Sequence, residues 1–102
     1  MNRQLSKAEI DGLQKDYWNM LQDLKQYRKL IWTKKFWKAS KEARTSAFGQ
    51  YRFIQWSLNE LLESLMKAGQ ISDDIVVSAL RNRFVTCQTK RHILQFLIKN
   101  RG

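Results

Sequence analysis

The chain has 102 residues, a length that fits one domain with one hydrophobic core and no staples. Apolar residues make up 43% of it, which excludes a compositionally disordered chain. The net charge of +10, from 19 Lys and Arg against 9 Asp and Glu, points to a partner that carries negative charge.

Proline is absent and glycine occurs four times, so long helices are favoured over many short strands. Ser6-Lys7-Ala8-Glu9 is a capping box, in which the serine oxygen accepts from the Glu9 amide and the Glu9 carboxylate reaches back to the Ser6 amide. Behind it Ile10, Leu13, Tyr17, Met20, Leu24, Tyr27 and Ile31 recur at alternating steps of three and four. That spacing predicts a first helix over about 7–32 with one apolar face. Ala47, Tyr51, Ile54, Leu58, Leu61, Leu65 and Ala68 repeat the pattern and predict a second helix over about 40–68. Ser40 is the preferred N-cap, with Thr45 as the alternative, and Gly69 falls where a left-handed residue stops the helix. Ser72 caps a third helix, about 72–84, whose first turn carries Asp73 and Asp74 toward the positive end of the dipole. Thr86 or Thr89 caps a last helix, about 89–100. The expected fold is all-α: a single helical domain over 1–102, with two long antiparallel helices covered by two shorter ones. Leu13, Tyr17, Leu24, Ile54, Leu58 and Leu61 are expected in its core.

Cys87 is the only cysteine, so no intrachain disulfide can form, and cytoplasm or another reducing compartment is expected. No run of ~18 apolar residues could span a bilayer. The amino-terminal Met1-Asn2-Arg3-Gln4-Leu5 has no apolar run behind its charge, unlike a secretory signal. Catalysis has little to build on. His92 is the only histidine, it stands five residues from Cys87, and no carboxylate lies near it in sequence to orient the ring. No spacing resembles a zinc motif and no glycine-rich phosphate loop is present. Glu60 and Glu63, one turn apart, read as a solvated face. The sequence therefore predicts a protein that is not an enzyme, with no catalytic residues, no cofactor and no metal.

The charge is concentrated. Residues 25–44 carry Lys25, Arg28, Lys29, Lys34, Lys35, Lys38, Lys41 and Arg44 against Glu42 alone, and residues 81–102 carry six basic groups and no acid. Within the first block, Trp32, Phe36 and Trp37 are interleaved with lysines. Lysines neutralise phosphates, and aromatic faces stack on unpaired bases. The tryptophans either do this or close the end of the bundle. Nucleic acid is the expected partner, bound by Lys29, Lys34, Lys35, Lys38, Lys41 and Arg44, with Trp37 as the stacking residue. Arg81, Arg83, Lys90 and Arg91 are expected to approach this block if the chain runs up-down-up-down, though only in part because the third helix is short, and to form one continuous basic patch with it. If the helix continued past Thr33, Lys34, Lys38 and Lys41 would share one face.

Phe53 and Trp56 point away from the apolar stripe of the second helix. Burial beneath the last two helices is the favoured reading, and a protein interface, including a homodimer, is the alternative. The last two helices also carry a faint helix-turn-helix pattern, with 89–98 as the recognition helix. Gln26-Tyr27-Arg28 resembles two of the three positions of the Leu-Tyr-Arg signature of small basic mitochondrial helical adaptors. In size and charge the chain is similar to the small subunits of RNA-guided effector complexes. The expected function is a non-catalytic accessory subunit of a nucleoprotein complex that binds RNA or single-stranded nucleic acid. The alternative is a protein-binding adaptor or inhibitor that presents Phe53 and Trp56 to an acidic partner.

Overall fold

The computed structural model describes residues 5–101, together with every side chain in that range except that of Arg101. The reading of the amino-terminal Met1-Asn2-Arg3-Gln4 therefore lies outside the described residues. Among these, the chain is all-helical: α1 (Lys7–Ile31), α2 (Lys34–Lys38), α3 (Lys41–Lys67), α4 (Asp73–Arg81) and α5 (Cys87–Arg101). No helix is long and apolar enough to cross a membrane.

The capping residues set these boundaries. Ser6 and Glu9 form the expected reciprocal box, at 3.1 and 3.2 Å. Ser40 caps α3 through the Ala43 amide. Gly69, at φ 69°, ends α3: its amide bonds to the Met66 carbonyl, and the Gln70 amide bonds to that of Leu65. Those two bonds satisfy carbonyls that the last turn would otherwise leave open. Ser72 caps α4, and Thr86 rather than Thr89 caps α5, accepting from the Thr89 amide. α4 stops at Arg81, short of the expected Phe84. There the Asn82 carboxamide oxygen takes the amides of Phe84 and Val85 and offers the backbone an alternative to helix.

α1 and α3 pack antiparallel along their length. α4 returns in the direction of α1, because Gln14 reaches the Gln70 carbonyl and Tyr17 reaches Ser78 and Asn82. α5 then runs with α3, because Thr86 meets Asn59 and His92 meets Glu63. The core lies where all four meet: Tyr17, Leu24, Leu58, Leu62, Leu65, Ile75 and Ile93 are fully enclosed. Leu61 is buried as expected, whereas Leu13 and Ile54 are only half-buried and pack against the cluster from its margin.

The α4–α5 pair covers only half of the long hairpin. Its turn, 82–86, is tied to α3 at Gln55 and Asn59, where Asn59 is buried, donates to the Phe84 carbonyl and accepts from the Thr86 amide. Beyond that level α1 and α3 continue as a two-helix arm with α2 across its tip. The molecule is accordingly elongated, 51 × 25 × 22 Å.

Candidate functional site

The tip of the arm is built by breaking the helix. α1 ends at Ile31, and Thr33 turns the chain. Its hydroxyl donates to the Leu30 carbonyl at 2.7 Å and accepts from the Phe36 amide, which starts α2. Phe36 is buried and meets Trp37 and Phe48 edge-on, with ring centroids 5.4 and 5.5 Å apart. This small aromatic knot closes the arm. The helix does not continue past Thr33, so the single lysine face that continuity would have produced is not formed. Lys34 and Lys38 share α2, and Lys41 opens α3. The hydroxyls of Thr33 and Ser40 each offer the backbone a fresh start.

The cations are nonetheless gathered. Lys34, Lys35, Lys38 and Lys41 are all exposed, and among the described residues none has an ion-pair partner. Lys34 and Lys35 are the first two residues of α2, and Lys41 is the first of α3. Helix dipoles disfavour cations at these positions, so the local field is positive on two counts. Arg44 holds its guanidinium 5.8 Å from the Trp37 ring, and its Nε is enclosed without an acceptor.

The two tryptophans differ. Trp37 is half-exposed and structural as well, since its Nε1 donates to the Ile31 carbonyl at 2.7 Å. Trp32 is 76% exposed, with the Arg28 guanidinium 6.0 Å from its ring. It ends a cavity of about 490 Å³ along α1 that also takes in Lys25, Arg28 and Lys29. The sequence assigns Lys29, leaves Trp32 between stacking and closing the bundle, and marks Lys25 and Arg28 only as part of the basic block. The four-residue steps from Lys25 to Lys29 and from Arg28 to Trp32 were the available signal.

The second basic block stands apart. Arg81 and Arg83 are exposed at the end of α4 and in the turn, Lys90 is half-buried, and Arg91 is exposed on α5. The turn sits beside Gln55, and Ser40 is 15 residues earlier in α3. At ~1.5 Å per residue the two blocks are about 20 Å apart along the helix. The approach is partial, as the short third helix implied, but the one continuous patch expected from it is not formed, and only the exposed Arg52 lies between the blocks among the described residues.

Phe53 and Trp56 are not covered by α4 and α5, contrary to the favoured expectation: they are 66% and 61% exposed. The reason is that α4 and α5 settle over the stripe itself, widened on α3 by Leu62 and Met66, and leave the opposite face bare. Between α3 and α5 runs a groove of about 630 Å³ where His92 Nδ1 meets Glu63 Oε1 at 2.7 Å, a pairing that sequence distance concealed. Among the described residues no hydrogen bond joins His92 to Cys87 or to a hydroxyl, and no three His, Cys, Asp or Glu residues gather as a metal site. Comparison of the chain with protein-family models, curated proteins and solved structures finds no match.

Proposed function

We propose that this chain is a non-catalytic nucleic-acid-binding protein, a small basic accessory subunit of a nucleoprotein complex, which holds RNA or another single strand at the tip of the arm. One observation carries the reading. Four exposed lysines without acidic partners among the described residues, three of them at helix starts, stand beside two tryptophans whose faces reach solvent. Backbone phosphates are the anions that such spaced cations suit, and an exposed indole beside a guanidinium suits a base that is free to unstack. A duplex presents no such base, which is why a single strand is preferred.

A second reading, a protein-binding adaptor or inhibitor with an acidic partner, is favoured by the exposure of Phe53 and Trp56. Titration of a labelled single-stranded RNA at several salt concentrations separates the two. Affinity that falls steeply with salt supports phosphate contacts. Undetectable binding at low salt rejects the first reading and leaves the adaptor.

A further inference from the structure

The bare face of α3 has its own order. Glu42, Ser46, Gly49, Phe53, Trp56, Glu60 and Lys67 are all exposed, and they recur at heptad spacing opposite the buried stripe. A seam of this kind matches a second helix rather than solvent. At its centre the Phe53 and Trp56 rings lie 6.3 Å apart and tilted. Together they leave on the order of 250 Å² of aromatic surface in water, from residue types that dominate interface energetics. Beside them, a cavity of about 480 Å³ opens over Ser46, Gly49 and Gln50, and a Cβ at Gly49 would meet nothing within 4 Å.

We infer that this seam pairs with a second copy of the same chain, α3 against α3, antiparallel about a two-fold axis. Setting Phe53 of one copy opposite Trp56 of the other puts the axis midway between residues 54 and 55. α3 runs from Lys41 to Lys67, so that axis also bisects the helix and lets the two copies overlap along its full length. The charged ends of the seam then match. Glu42 of each copy faces Lys67 of the other, and neither has an ion-pair partner within its own chain among the described residues. Gly49 faces Glu60 of the second copy, small against long, and Ser46 faces the edge where Glu63 bonds His92 of its own chain. The pattern is an aromatic centre with a charged rim, which is the anatomy of a protein interface. Each contact is made twice, as a two-fold axis requires.

Charge selects this occupant and this orientation. A parallel pair would superimpose the two basic tips. The antiparallel pair separates them by the length of α3, ~40 Å, far beyond the ~8 Å Debye length at physiological salt. The inference does not depend on nucleic-acid binding, although a dimer would carry one basic tip at each end.

The test is the mass in solution. Protein freed of nucleic acid by nuclease and high salt, since a bridging strand would also double the mass, is followed by sedimentation from about 1 µM to about 1 mM. The mass should rise from 12.2 kDa to twice that value. The Phe53→Ser, Trp56→Ser double variant should stay at 12.2 kDa throughout with unchanged helicity, because both side chains are exposed in the single chain. Glu42→Lys and Lys67→Glu should each weaken association about tenfold, since each turns two attractions into repulsions. Combined in one chain they should restore it. The inference is overturned by a monomer across the whole range, by a dimer that survives loss of both aromatics, or by a combined charge variant that associates no better than either single one.

Discussion

The Trp37 indole bonds the Ile31 carbonyl and packs edge-on against Phe36, while the Trp32 ring is mostly exposed, with the Arg28 guanidinium 6.0 Å from its centroid. The two should therefore separate in experiment. Trp37→Ala removes a hydrogen bond and an aromatic edge contact, so it should lower stability by about 2 kcal/mol in thermal melts. Trp32→Ala should leave stability within about 0.5 kcal/mol and weaken single-strand binding by about 1–3 kcal/mol. Unchanged binding by Trp32→Ala would remove base stacking from that ring. Tyr17 offers a different test. Its hydroxyl is enclosed, 2.7 Å from Ser78 Oγ and 3.0 Å from Asn82 Nδ2. Burial pushes its pKa above the usual 10.0, and the two hydrogen bonds offset this only in part. The folded chain thus keeps this proton longer than the unfolded one. The resulting stability is fully present below the unfolded value near 10 and is lost as pH rises toward the folded value. Melting temperatures between neutral pH and about pH 11 should fall more for the wild type than for Tyr17→Phe. That variant itself should be less stable at neutral pH by about 1–2 kcal/mol, having left Ser78 and Asn82 without the hydroxyl. Parallel alkaline profiles for the two proteins would show that Tyr17 does not titrate with unfolding.

Among the elements, α3 depends on one backbone conformation at its end. Gly69 holds φ 69°, where a Cβ is strained even though the space around it is open. Gly69→Ala should cost about 1–2 kcal/mol by denaturant titration, and a neutral result would mean that the turn to α4 re-forms another way. This stop was legible in the sequence, as were the Ser6–Glu9 box, the Ser40 and Ser72 caps and both long stripes. All of them are local: cap chemistry acts over three residues, and the stripe repeats every turn. What escaped depends on contacts between distant segments. The short helix α2, in the segment expected to be a loop, packs through Phe36 onto Phe48. The end of α4 depends on Asn82, whose carboxamide both caps the turn and meets Tyr17. Nothing in the sequence near Asn59 shows that it anchors the α4–α5 turn from 25 residues away. The candidate site was legible to the same degree. Its lysines were visible as a run in the sequence. The exposure of Phe53 and Trp56 was not, because it follows from which face of α3 the last two helices chose.

At the scale of the whole molecule, the two basic blocks are separate patches on one rod. Under the proposed function, a short single strand would occupy the tip alone. The block at the α4–α5 turn lies about 20 Å away, a span of about six nucleotides at the ~3.4 Å per phosphate of a stacked strand. Replacing Lys34, Lys35 and Lys38 with alanine should therefore weaken binding to short and long strands alike. Each lost phosphate contact removes ~0.7 from the slope of log affinity against log salt, so the triple variant should flatten it by about 2. Its melting temperature should hardly move, because all three side chains are exposed and without ion-pair partners among the described residues. Arg81→Ala combined with Arg83→Ala should spare a strand too short to leave the tip and weaken one long enough to pass Arg52. If both variants weakened short strands equally, the two blocks would act as a single patch. If the lysine variant left the slope unchanged, the tip would not be where phosphates bind, and the positive charge would have to serve an acidic protein instead.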